Sequence, residues 1–61
     1  MSLENKQAEF TTLITKAKSQ YSSMSIEDKS TFDDIVDLDE NGLIDKENIE
    51  TYIEQLNQLL N

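Results

Sequence analysis

Apolar residues fall at Leu3, Phe10, Leu13, Ile14, Ala17, Tyr21 and Met24. From Phe10 onward, positions 10, 14, 17, 21 and 24 are linked by steps of four and three, which draws one stripe down a helix. The opposite face carries Glu9, Thr12, Lys16, Lys18 and Ser19. Ser19-Gln20 and Ser22-Ser23 flank Tyr21, offer little to pack and compete for the backbone. The pattern therefore predicts a first helix over about 3–22 that frays at its end.

Two further helices follow. Ser25-Ile26-Glu27-Asp28 places a capping serine three residues before an acid, with two carboxylates in the first turn. Phe32, Ile35 and Val36 then give an i, i+3, i+4 patch, predicting a helix over about 26–38. Asp45 is a good N-cap for the third helix, predicted over about 45–59. Its apolar face is Ile49, Tyr52, Ile53, Leu56, Leu59 and Leu60, the strongest amphipathic pattern in the chain. Asn41-Gly42 is the only Asn-Gly, and helical patterns rather than alternating strands flank it. Together these features predict one small all-α, three-helix domain over residues 1–61, with a helix-loop-helix at about 25–59. Its expected core is Phe10, Leu13, Ile14, Ala17, Tyr21, Phe32, Ile35, Val36, Ile44, Ile49, Tyr52, Ile53 and Leu56.

Composition narrows the function mostly by exclusion. The 61 residues contain no Cys, His, Trp, Pro or Arg, and one Gly. That excludes disulfides, a Cys- or His-built zinc site, and His- or Cys-dependent catalysis. Residues 1–25 set three lysines against two glutamates, a net +1. Residues 26–61 set two lysines against eleven acids, a net −9. So acidic a chain is a poor nucleic-acid binder. No apolar run approaches the roughly 20 residues of a membrane span. The N-terminus lacks the basic start and apolar run of a signal peptide, so a cytoplasmic protein without a membrane or nucleic-acid partner is expected.

The sharpest chemistry lies at residues 37–48, Asp-Leu-Asp-Glu-Asn-Gly-Leu-Ile-Asp-Lys-Glu-Asn. Side-chain oxygens stand at positions 1, 3, 5 and 9 (Asp37, Asp39, Asn41, Asp45), with Gly42 at position 6. A hard dication takes six to eight oxygens, and alternate residues of a tight loop can turn theirs inward. Position 7, Leu43, would offer its carbonyl. The segment Val36 to Asp45 resembles the loops of the EF-hand, calmodulin-like family, and Ile35, Val36, Ile49, Tyr52, Ile53 and Leu56 fall where that family places apolar residues.

The resemblance implies a Ca²⁺ site, with Mg²⁺ as the alternative ion, built from Asp37, Asp39, Asn41, Leu43, Asp45 and Asn48. Asn48 stands where the family usually has a bidentate Glu, which removes a ligand and a charge. The implied site is weak, with Kd on the order of 10⁻⁴ M or looser. The same residues also read as a plain helical hairpin, with Gly42 ending one helix and Asp45 capping the next.

Two functions are expected. One is a small non-enzymatic acidic protein that binds Ca²⁺ or Mg²⁺ weakly through a single EF-hand-like loop. The other is a metal-free acidic interaction module or inhibitor, such as a small bacterial or phage regulator, docking on a basic surface of an unnamed protein partner. The long stripe of the first helix and the extra Leu59 and Leu60 also suggest a homodimer. Asp33-Asp34 reads as a solvated face, and Ser22 and Ser23 lack a base, so no catalytic residue is assigned.

Overall fold

The computed structural model describes residues 3–61, with side chains from residue 5 onward. Helix α1 runs Leu3–Ser19, a 3-10 turn Tyr21–Ser23, α2 Ile26–Glu40 and α3 Ile49–Leu60. No strand occurs among the described residues, and the expected small all-α domain is what the chain forms. The side chain of Leu3, placed on the first stripe, lies outside the described residues.

The ends of α1 follow the local chemistry. Lys16 and Lys18 sit in its last turn, where the helix dipole favours cations. The serine-rich segment stops the helix at Ser19, earlier than the expected residue 22. Ser19 Oγ donates to the Lys16 carbonyl at 2.7 Å, and Gln20 N donates to the Ala17 carbonyl at 3.0 Å. Ser23 N and Met24 N then donate to the carbonyls of Gln20 and Tyr21, each at 3.0 Å, which tightens the chain into the 3-10 turn.

Ser25 caps α2 as expected, its hydroxyl accepting from Asp28 N at 3.1 Å. Tyr21 fastens the preceding turn to this helix. Its ring lies 5.8 Å from that of Phe32, tilted by 57°, and its hydroxyl donates to Asp33 Oδ2 at 3.0 Å. Lys29 Nζ stands 5.4 Å from the centre of the same ring.

The tightest helix pair is α1 against α3, with α2 laid more loosely beside them. The buried core is Phe10, Ala17, Phe32, Ile35, Ile49, Ile53 and Leu56. Every other residue expected in the core is partly buried against it, together with Met24, Leu59 and Leu60. So the two C-terminal leucines pack within the chain. Among the described residues the exposed large apolar side chains are Ile26, at 88%, and Leu43, at 58%. A core this small supplies a few kcal/mol of stability at best, about the limit for a domain of this length.

Candidate cation loop between the second and third helices

The expected site lies where α2 ends and α3 begins, and the backbone there is built from two caps. Helix α2 runs to Glu40, two residues beyond the expected end. Asn41 then closes it, Gly42 takes φ +70°, and Leu43 N donates to the Leu38 carbonyl at 2.9 Å. Gly42 N donates to the Asp39 carbonyl at 3.1 Å. These are the two bonds of a Schellman ending, with glycine at the left-handed position.

The second cap is reciprocal. Asp45 Oδ1 accepts from Glu47 N at 2.9 Å and from Asn48 N at 3.1 Å. Asn48 Oδ1 accepts in return from Asp45 N at 2.7 Å, and Asn48 Nδ2 donates to the Leu43 carbonyl at 3.0 Å. This is a capping box with Asn in the role usually held by Glu or Gln. Residues 46–48 form a turn, and regular helix begins at Ile49 rather than at Asp45. Asn48 has φ −114°, which interrupts the first turn while its side chain holds both Asp45 and Leu43.

This arrangement sets where each candidate ligand points. Asp37 and Asp39 both belong to α2, and residues two apart on a helix project about 200° from one another. Their carboxylates therefore lie on opposite sides of the helix. Asn41 Nδ2 donates to the Asp37 carbonyl at 2.8 Å and approaches Asp37 Oδ1 at 3.4 Å. The Leu43 carbonyl, one oxygen of Asp45 and the oxygen of Asn48 are all engaged in the loop's own hydrogen bonds. Among the described residues no group of three or more Asp or Glu converges to hold a metal ion. With α2 wound through Glu40, Asp37 and Asp39 do not face a common point.

Asp39 has a different neighbour. It lines a cavity of about 240 Å³ with Gln7, Phe10 and Thr11 of α1 and Ile44 and Ile49 at the entry to α3. Sequence spacing gave no sign of this site, because it joins residues far apart in the chain through the packing of three segments. The capping box, by contrast, had a legible signal in Asp45 and Asn48, three residues apart. Among the described residues one ion pair forms, Lys6 Nζ to Glu50 Oε1 at 3.8 Å, and most of the acidic surface has no cation beside it.

No protein-family model matches this chain, and no curated protein or solved structure does either. No described helix is long and apolar enough to cross a membrane.

Proposed function

We propose that this chain is a non-enzymatic acidic binding module that docks, without metal, on a basic surface of a protein partner. The observation that supports this most directly is the state of the carboxylates. Residues 26–61 carry a net −9, their acids are overwhelmingly exposed, and the one ion pair among the described residues takes up only Glu50. Such a field speeds encounter with a basic partner and repels an acidic one. A second copy of the chain is a poor candidate partner, since each carries −8.

The test is calorimetric titration with a lysine- and arginine-rich helical peptide and with its Glu-substituted counterpart. Binding of the basic peptide alone, weakened as salt rises, is the expected result. No binding of the basic peptide even at low salt would overturn the reading.

Weak Ca²⁺ binding is the second reading. What favours it is the alternation of oxygens at Asp37, Asp39 and Asn41 ahead of a left-handed Gly42. It requires the last turn of α2 to unwind and the Asp45–Asn48 box to open. That cost, added to the missing twelfth carboxylate, keeps affinity on the order of 10⁻⁴ M or weaker. Calcium-specific changes in the amide spectra of residues 37–48, absent with Mg²⁺ or NaCl, would establish it.

A further inference from the structure

We infer that the cavity between α1 and the end of α2 is an anchor pocket for one arginine side chain of a partner protein. The inference rests on the acidic-docking reading and names the point at which docking is specific. The cavity's apolar lining is small: Phe10 and Ile49 are each 4% exposed, and Ile44 is partly buried. Its rim is polar: Gln7, Thr11 and Asp39 are exposed. None of these three side chains makes a hydrogen bond or ion pair among the described residues, so their acceptors are unspent. Lys6, the nearest cation in sequence to Gln7, is directed at Glu50.

Size and charge choose the occupant. At about 240 Å³ the cavity lies below the roughly 300–1,000 Å³ of sites that enclose a drug-sized ligand or cofactor. It suits a single long side chain. An aliphatic stem would lie over Phe10, Ile44 and Ile49, and its head would meet one carboxylate, one amide oxygen and one hydroxyl. Three separate acceptor groups match the five donors of a planar guanidinium better than the three donors of an ammonium. Arginine is also enriched among the residues that dominate binding at protein interfaces. The chain has no arginine of its own to fill the pocket.

Nuclear magnetic resonance of the full chain tests this, with acetyl-arginine-methylamide titrated at constant ionic strength. The neutral isostere acetyl-citrulline-methylamide and acetyl-lysine-methylamide serve as comparisons. The expected result is saturable shifts confined to Gln7, Thr11, Asp39, Ile44 and Ile49, with citrulline weaker by roughly tenfold or more. Asp39→Asn should weaken arginine binding by a similar factor. Asp37→Asn makes the same charge change on the far side of α2 and should weaken it less than about twofold. Thr11→Val, at an exposed helical position that carries little folding risk, should weaken it severalfold.

Equal losses in Asp37→Asn and Asp39→Asn, or shifts spread along α2, would overturn the pocket while leaving acidic docking intact. Equal binding of the lysine probe would overturn the choice of guanidinium. If a hexa-arginine peptide also fails to bind at low salt, the docking reading itself falls.

Discussion

Asn48 returns to Asp45 the hydrogen bond it takes from it: Asn48 N donates to Asp45 Oδ1 at 3.1 Å, and Asp45 N donates to Asn48 Oδ1 at 2.7 Å. This pair gives the asparagine at residue 48 a job that needs no metal. Asp45→Ala and Asn48→Ala should each destabilise the chain by about 1 kcal/mol, as lost caps do. In a domain of this length each kcal/mol lowers the Tm by roughly 4–8 °C. Because the two side chains serve one box, the double variant should cost less than the sum of the singles, by about 0.5 kcal/mol or more. Thermal unfolding of the four proteins measures the cycle, and strict additivity would show that the box is not a unit.

Gly42 is where the turn demands a particular backbone. At φ +70° a Cβ meets nothing within 4 Å, so its cost is the residue's own left-handed strain rather than a clash. Gly42→Ala should therefore cost about 1 kcal/mol. Gly42→Asn should cost less, since asparagine tolerates the left-handed region and also ends helices. Urea unfolding of both variants gives the comparison. An alanine variant as stable as the parent would mean that α2 does not end here in solution.

Much of the fold was legible because it depends on local rules. The four-three stripe that starts at Phe10, the serine cap at residue 25 and the stripe from Ile49 to Leu60 each declare a helix without reference to the others, although the first stripe runs on through Tyr21 and Met24 past the end of α1 at Ser19. The core followed from the same stripes, and the expected residues lie in it or against it. The loop was harder because Asp37, Asp39, Asn41 and Gly42 satisfy two local rules at once. Alternate oxygens suit a cation loop, while Asn-Gly after an amphipathic patch suits a helix ending. Winding the chain on through Glu40 extends the backbone hydrogen bonding of α2, and no spacing argument weighs that gain against a ligand. The Asp39 cavity was out of reach for a different reason: it exists only once α1 packs beside the entry to α3.

Tyr21 supplies a pH signature. Its hydroxyl donates to Asp33 Oδ2 at 3.0 Å, and that bond first, then burial and the Asp33 charge, raises its pKa above the ordinary 10.0. A tyrosine whose folded pKa is raised contributes stability that is fully present below the unfolded pKa. It is lost as pH rises through the folded value. Stability should therefore hold through neutral pH and fall in the alkaline range above about pH 10. In a Tyr52→Phe background, ultraviolet titration of the remaining tyrosinate should show Asp33→Asn moving the Tyr21 transition to lower pH. An unmoved transition would mean that the Tyr21–Asp33 bond does not persist in solution.

Salt separates the two functional readings at the level of stability. With a net −9 over residues 26–61 and little internal pairing, the folded chain repels itself, and ions of any kind relieve that repulsion. NaCl, MgCl₂ and CaCl₂ at matched ionic strength should therefore raise the Tm by comparable amounts, with the divalent salts modestly ahead and similar to each other. Asp37→Ala removes one charge from the repelling surface, so it should leave the response to calcium nearly unchanged. Asn48→Glu lengthens a side chain that can still serve the capping box, and it adds one more negative charge. It should shift the absolute Tm slightly and still show no preference for Ca²⁺ over Mg²⁺. A bound calcium gives a different pattern. At ten to a hundred times Kd it stabilises the folded chain by roughly 1.4–2.7 kcal/mol, a rise on the order of 5 °C or more. Asp37→Ala would abolish that rise and Asn48→Glu would enlarge it, since the first removes a direct carboxylate and the second supplies the missing one. Scanning calorimetry of the parent and both variants in the three salts decides the matter. A calcium-specific rise that tracks the two substitutions in opposite directions would mean that the end of α2 unwinds to make a cation site, and that docking on a basic partner is not this loop's work.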